Sequence, residues 1–133
     1  MTGYIEVPHT ADVCLRVWGD DLVSLFEQSA RGLHHLMQPR IGAGEISSRR
    51  IDIIGSDIET LLVDFLSTIL YWIEVDKLVC IDYAFSIIDC RIYGEISCQP
   101  CLAIARHIKA VTYHNLAVRQ ISGELVTEIV FDV

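Results

Sequence analysis

Basic residues are scarce in this chain. Lys and Arg number 10 against 18 Asp and Glu, a formal net charge of −8, and Arg49-Arg50 is the only adjacent basic pair. Neutralising phosphates requires clustered cations, so direct nucleic-acid binding is not expected. The N-terminus, Met1 to Val7, lacks the basic leader and apolar core of a secretory signal, and the expectation is a cytoplasmic protein. Long hydrophobic runs are missing too. The most apolar stretch, Leu61 to Ile73, is shorter than a membrane span and carries Asp64, so it reads as a core helix and no membrane partner is expected. Cysteine is odd in number, 5 residues scattered through strand-like segments. That argues against a disulfide framework and for reduced, buried small residues. Cys98-Gln99-Pro100-Cys101 is a single CxxC; a structural zinc site would need two more ligands, and only His107 is close in sequence, so the buried-thiol reading is preferred.

What is present fits a globular chain. The 133 residues are read as a single domain, 1–133, large enough to bury roughly two-thirds of the surface its unfolded form would expose. A hydrophobic fraction of 52% with 21% charged residues argues against disorder. No repeat, low-complexity tract or linker interrupts it. The acidic balance suits a basic protein partner or a divalent cation.

Tyr4 to Val7 is strand-like and ends at Pro8; Val13, Leu15 and Val17 then alternate with Cys14, Arg16 and Trp18, a strand with one buried face, closed by Gly19. Asp20 or Asp21 caps a helix whose apolar positions run from Leu22 to Met37, stopped by Pro39, Gly42 and Gly44. His34 and His35, near its C-terminal end, are read as partly charged imidazoles facing the helix dipole. Ile46 to Ile54 reads as an edge strand on which Arg49 and Arg50 discourage aggregation. Ser56 and Glu59 form a capping box for the strongest helix, Ile58 to Ile73, whose narrow polar stripe of Asp64, Ser67, Thr68 and Tyr71 reads as solvated.

From Val79 the pattern is β: Val79 to Ile87, Cys90 to Ser97, Ala110 to Val118 and Leu125 to Val133, with turns at Asp89 and Ser122-Gly123. Helices early and strands late predict a two-layer α+β fold, two main helices packed on one face of a mostly antiparallel mixed sheet.

Two stretches carry the chemistry. His9-Thr10-Ala11-Asp12 joins the first two strands, and by itself it reads as a turn in which Thr10 or Asp12 bonds nearby backbone N–H groups. The last strand ends Phe131-Asp132-Val133. If that strand is held in the sheet, the Asp132 carboxylate, backbone carbonyls and the terminal carboxylate of Val133 converge, and Asp12 supplies a further oxygen if its loop lies alongside. Oxygen-rich sites suit hard cations.

His9-Thr10-Ala11-Asp12 with a strand and Gly19, Leu61-Leu62 opening an apolar helix, Gly94-Glu95, Lys109-Ala110-Val111-Thr112-Tyr113-His114 and the final Phe131-Asp132-Val133 together resemble the archease family over essentially the whole chain. The resemblance implies a non-catalytic protein cofactor of the tRNA-splicing RNA ligase, an enzyme that uses GTP and divalent metal to join a 3′-phosphate or 2′,3′-cyclic phosphate end to a 5′-hydroxyl. Such cofactors assist guanylation of the ligase histidine, sustain multiple turnover and widen nucleotide use. The resemblance further implies a metal site at Asp12, Asp132 and Val133, usually described with calcium, with magnesium or manganese as alternatives. His9 is expected to orient Asp12 from the second shell of that site. Lys109 either stands beside the carboxylates or snorkels from a sheet edge and pairs with Glu95 or an aspartate, and His114 reads as a satisfied structural histidine. The chain departs from the family where Ser67-Thr68 replace an Asn-Glu pair and His107 replaces an acidic residue, which trims the acidic patch.

Two other function classes compete. A general chaperone or adaptor would work through surface shape without metal. A metal-dependent hydrolase ranks last, because no nucleophile–base pair is readable. Oligomeric state is left open.

Overall fold

The computed structural model describes residues 1–9 and 12–133. Strand β1 (Gly3–Val7) and β2 (Val13–Gly19) precede helix α1 (Leu22–Met37); β3 (Pro39–Ile41) and β4 (Ser47–Ile54) precede α2 (Ile58–Glu74). Five strands follow: β5 (Leu78–Ile88), β6 (Arg91–Ile104), β7 (Ala110–Val111), β8 (Arg119–Ile121) and β9 (Glu124–Asp132). The expected two helices and antiparallel strands are present, with the strands divided between two sheets. One follows the order β1-β2-β9-β7 with β8 also on β9, and the other joins β3, β4 and β5 to β6. Every pairing among the described residues is antiparallel.

The helices touch both sheets. Helix α1 rests on β1, β2 and β9 and also meets β5, while α2 meets β4, β5, β6 and β7. Between these layers Phe26, Leu33, Leu62, Phe65, Ile96 and Phe131 are fully enclosed in one contiguous core. Such a core arises because α2 buries two sides and leaves only the expected polar stripe toward solvent, with Ser67 and Tyr71 exposed.

Local chemistry sets the boundaries. Asp21 caps α1, its carboxylate accepting from the Ser24 N–H at 2.8 Å. For α2 the cap is Asp57, not Ser56: the Asp57 carboxylate takes the Thr60 N–H at 2.7 Å, and Glu59 reaches away to accept from the Val118 N–H at 2.9 Å. A carboxylate one residue nearer the helix outcompetes the Ser56 hydroxyl for the first free donors, and Asp57 itself holds the extended backbone of a cap.

Both expected hairpin turns are present, with left-handed backbone at Asp89 and Cys90 and at Ser122 and Gly123, the paired geometry that matches strand twist. The Ala110–Val118 segment is not one strand. It bends after β7, where the Leu116 N–H closes onto the Tyr113 carbonyl at 3.1 Å and Asn115 is left-handed. Conversely β6 runs on through Pro100 to Ile104, because the Pro100 carbonyl still accepts from Gly42 at 2.8 Å and the missing N–H is not needed by a partner there. Among the described residues no helix is long and apolar enough to cross a membrane.

Candidate functional site

The ladder between β2 and β9 opposes Val13 and Phe131, both buried against the core at 3% and 0% exposure. Side chains alternate across a strand, so the next position outward on each turns to the other face. Those positions are Asp12 and Asp132. Asp12 is half-buried and Asp132 exposed. On its other side Asp132 is opposed by Ala110 of β7, and its carbonyl accepts from the Lys109 N–H at 2.8 Å. The start of β2, the end of β9 and the segment before the last hairpin therefore meet at one sheet end, with Val133 exposed just beyond.

His9 Nδ1 lies 3.9 Å from Asp12 Oδ2, an electrostatic contact longer than a hydrogen bond. The His9 ring stands edge-on to that of His114, with 6.3 Å between centroids. His114 is exposed, and its Nε2 accepts from the Asn115 side-chain amide at 3.3 Å; it is partnered, but it belongs to the surface around Asp12. Thr10 and Ala11, and with them the expected Thr10 turn, lie outside the described residues.

Lys109 is exposed. Glu95, one expected partner, stands in the other sheet, opposite Arg50 on β4 and Ala84 on β5. What fixes Lys109 is its backbone bond to the Asp132 carbonyl, and the residue lines the cleft facing α2.

Next to this end a cleft of about 470 Å³ runs between α2 and the 107–111 segment, lined among others by Ser67, Tyr71, Glu74, His107, Lys109 and Ala110. The His107 imidazole bridges it, with Nδ1 2.9 Å from Glu74 Oε1. Glu74 was the residue the sequence reading missed. The signal was available, because positions 67, 71 and 74 recur at helical spacing and extend the polar stripe by one turn. Asp64, Thr68 and Ser67 line a shallower depression of about 420 Å³ on the same helix.

The cation-binding potential of this end rests on oxygen. Among the described residues no three His, Cys, Asp or Glu side chains are grouped so as to hold a metal ion. Asp12 and Asp132 contribute two carboxylates of like charge on adjoining strand ends, open to water. Hard cations that accept six to eight oxygens, waters and carbonyls included, fit that donor set.

The CxxC does not join a site. Cys98 Sγ donates to the Ile96 carbonyl and Cys101 Sγ to the Ala103 carbonyl, while His107 is turned to Glu74. All the cysteines are free, four of them buried and Cys90 partly so. His34 also departs from expectation. It is buried, its Nε2 accepts the Cys80 N–H at 3.3 Å, and Nδ1 therefore carries the hydrogen donated to the Ala30 carbonyl at 2.7 Å. Burial pushes its pKa below the ordinary value, so it is a neutral core histidine and not a cation at the helix end.

Comparison with known proteins gives one consistent result. The model of the archease protein family matches residues 4–133. The protein archease of Methanopyrus kandleri is 30% identical over 136 residues, covering 96% of each chain. That of Methanosarcina mazei is 28% identical over 141 residues, 98% of this chain and 95% of its own. A crystal structure of an archease from Thermotoga maritima, described as a possible chaperone, has a TM-score of 0.73 at 19% identity and covers 96% of this chain and 94% of that one. A solution structure of a Methanobacterium thermoautotrophicum protein has a TM-score of 0.70 at 23% identity, covering 98% and 99%. These two likenesses show the fold.

Proposed function

Because the chain belongs to the archease protein family, we propose that it is a non-catalytic cofactor of the tRNA-splicing RNA ligase, promoting ligase guanylation and multiple turnover through a cation held at Asp12, Asp132 and Val133. The observation that carries this reading is the Val13–Phe131 register, which brings Asp12 and Asp132 to one sheet end. Calcium is the proposed ion, with magnesium or manganese as substitutes. When bound, the ion would supply positive charge that offsets the two carboxylates and offer open coordination positions to a partner. His9, 3.9 Å from Asp12, keeps that carboxylate oriented, and Lys109 anchors the Asp132 backbone through its N–H.

Nucleotidyl transfer depends on correctly placed metal ions and charge clamps. A protein that loads or positions such an ion can therefore speed guanylation without touching RNA, in keeping with the net charge of −8. The test is single-turnover guanylation of the cognate ligase, with and without this protein, across metals and chelator. Stimulation that requires the cation and disappears in Asp12→Ala supports the reading; full stimulation by Asp12→Ala and Asp132→Ala removes the site.

A second reading, a general chaperone or adaptor, is favoured by the description of the Thermotoga relative as a possible chaperone and by exposed apolar side chains at Ile41, Ile46 and Leu102. It predicts equal action on unrelated clients and indifference to chelation.

A further inference from the structure

Cys80 and Cys98 stand directly opposite each other on β5 and β6, and both are free thiols. Opposed residues of an antiparallel ladder have Cα atoms about 4.5 or 5.5 Å apart, and both spacings lie within the roughly 4.4–6.8 Å that a disulfide spans. Their side chains share one face. The register shifts between Cys80 and Asp82, a bulge of the kind that re-aims a neighbouring side chain. Hydrogen bonding between the two thiols holds the Cys98 pKa down and pushes Cys80 up, while the Arg49 guanidinium favours the anion at both. The anion of the pair is thereby favoured on Cys98 over Cys80.

Cys98 is fully buried and Cys80 is 6% exposed, so access to the pair runs by way of Cys80. A cleft of about 440 Å³, with Arg31, His34, Cys80, Ile81 and Tyr83 among its walls, opens onto Cys80. The Tyr83 hydroxyl is buried and has no hydrogen-bond partner among the described residues. An unpartnered buried donor beside a thiol pair calls for an explanation, since such atoms are rare. A small oxygen-bearing ligand in the cleft would satisfy it.

We propose that Cys80 and Cys98 form a redox pair, oxidised to an intramolecular disulfide by a hydroperoxide admitted through this cleft, with the Tyr83 hydroxyl donating to the peroxide or sulfenate oxygen. A thiolate sulfur attacks one peroxide oxygen and the O–O bond breaks. With hydrogen peroxide the departing hydroxide takes a proton and leaves as water, and the sulfur becomes a sulfenic acid. The second sulfur displaces that hydroxyl, which leaves as water with the second thiol proton. Two thiols and one hydrogen peroxide become one disulfide and two waters; sulfur is oxidised and peroxide oxygen reduced. The site is separate from the Asp12 end and does not depend on the proposed ligase role.

The test treats the reduced full chain with hydrogen peroxide, alkylates it after denaturation and maps the peptides. The expected result is a mass loss of two hydrogens, a linked Cys80–Cys98 peptide reversed by dithiothreitol, and alkylation confined to Cys14, Cys90 and Cys101. Cys80→Ser should leave a sulfenic acid at Cys98, the sulfur whose anion is favoured, that dimedone captures, and Tyr83→Phe should slow disulfide formation several-fold with unchanged circular dichroism. Alkylation of both Cys80 and Cys98 after Cys90 has already reacted, or linkage of either to another cysteine, overturns the pair. An unaltered rate in Tyr83→Phe overturns the role of the phenol. The wild-type peptide map decides the central claim even if a variant fails to fold.

Discussion

Asp12 and Asp132, 120 positions apart in sequence (132 − 12), are the first residues beyond the opposed pair Val13 and Phe131. Each adjoins a residue locked in the core, Val13 at 3% and Phe131 at 0% exposure, so the two positions are held at one end of the sheet. A cation shared between them should stabilise the fold by binding it and not the unfolded chain.

Calcium in hundredfold excess over its dissociation constant would add ~2.7 kcal/mol, a rise of several degrees in Tm for a chain of this length. Asp12→Asn and Asp132→Asn should each abolish that rise while leaving the metal-free Tm unchanged or slightly higher, because one of two like charges has gone. Differential scanning fluorimetry with calcium and with chelator checks this. A calcium-dependent rise that survives in both variants would show that the ion binds elsewhere.

His34 makes stability sensitive to mild acid. Burial, aided by the nearby Arg31 charge and opposed by the Ala30 carbonyl, depresses its folded pKa below the ordinary 6.5. The unfolded chain therefore binds a proton that the folded chain refuses. Its contribution is complete above about pH 6.5 and is lost as pH falls from there through the folded value, with a slope of at most ~1.4 kcal/mol per pH unit. Urea unfolding between pH 7.5 and 5 should show that loss, and His34→Leu should flatten it despite lower stability at pH 7.5. The carboxylates held low by hydrogen bonds, Asp21 and Asp57, have an ordinary value of 3.8 and titrate below this window.

Gly94 sits in mid-strand with φ +151, where a Cβ would lie 2.3 Å from the Ala84 carbonyl oxygen and 2.5 Å from Phe85 Cα. Both obstacles are backbone of the adjoining β5, so no side-chain rotation relieves the overlap. Gly94→Ala should cost about 3 kcal/mol or more, read as a lower urea midpoint or loss of soluble expression. A midpoint within experimental error of the parent would contradict the packing at this position.

Sequence periodicity was enough wherever one face of an element is buried. The alternation from Val13 to Trp18 and the helical spacing from Leu22 to Met37 are set by the core itself; the helix appears with those bounds, and the strand runs one residue further, through Gly19. It was insufficient where competition between neighbouring groups decides. Asp57 and Ser56 both carry capping side chains, and only the backbone of the folded chain selects between them. Strand β3 is three residues long with two exposed, too short to print a pattern, and Pro39 read as a helix stop. His34 read as a terminal cation because nothing in the sequence announces Cys80 as its partner, 46 residues away. At the candidate site, the proximity of Asp12 to Asp132 follows from a pairing between distant strands. Periodicity cannot supply such a pairing, and the family resemblance did.

The contribution of Val133 can be separated from that of Asp132. The Lys109 N–H bonds the Asp132 carbonyl, so the backbone at this end is already anchored one residue short of Val133, and residues added after it need not disturb β9. A short extension such as Gly-Ser converts the Val133 carboxylate into an amide, removing one of its two oxygen donors and moving the negative charge two residues outward while leaving both aspartates in place. Calcium affinity, measured by isothermal titration, should fall at least tenfold, and stimulation of ligase guanylation should fall with it at a fixed low calcium concentration. Raising calcium should restore the stimulation in the extended chain but not in Asp12→Ala. If the extended protein binds calcium as tightly as the parent, the donor set reduces to the two side chains and water, and Val133 has no part in it.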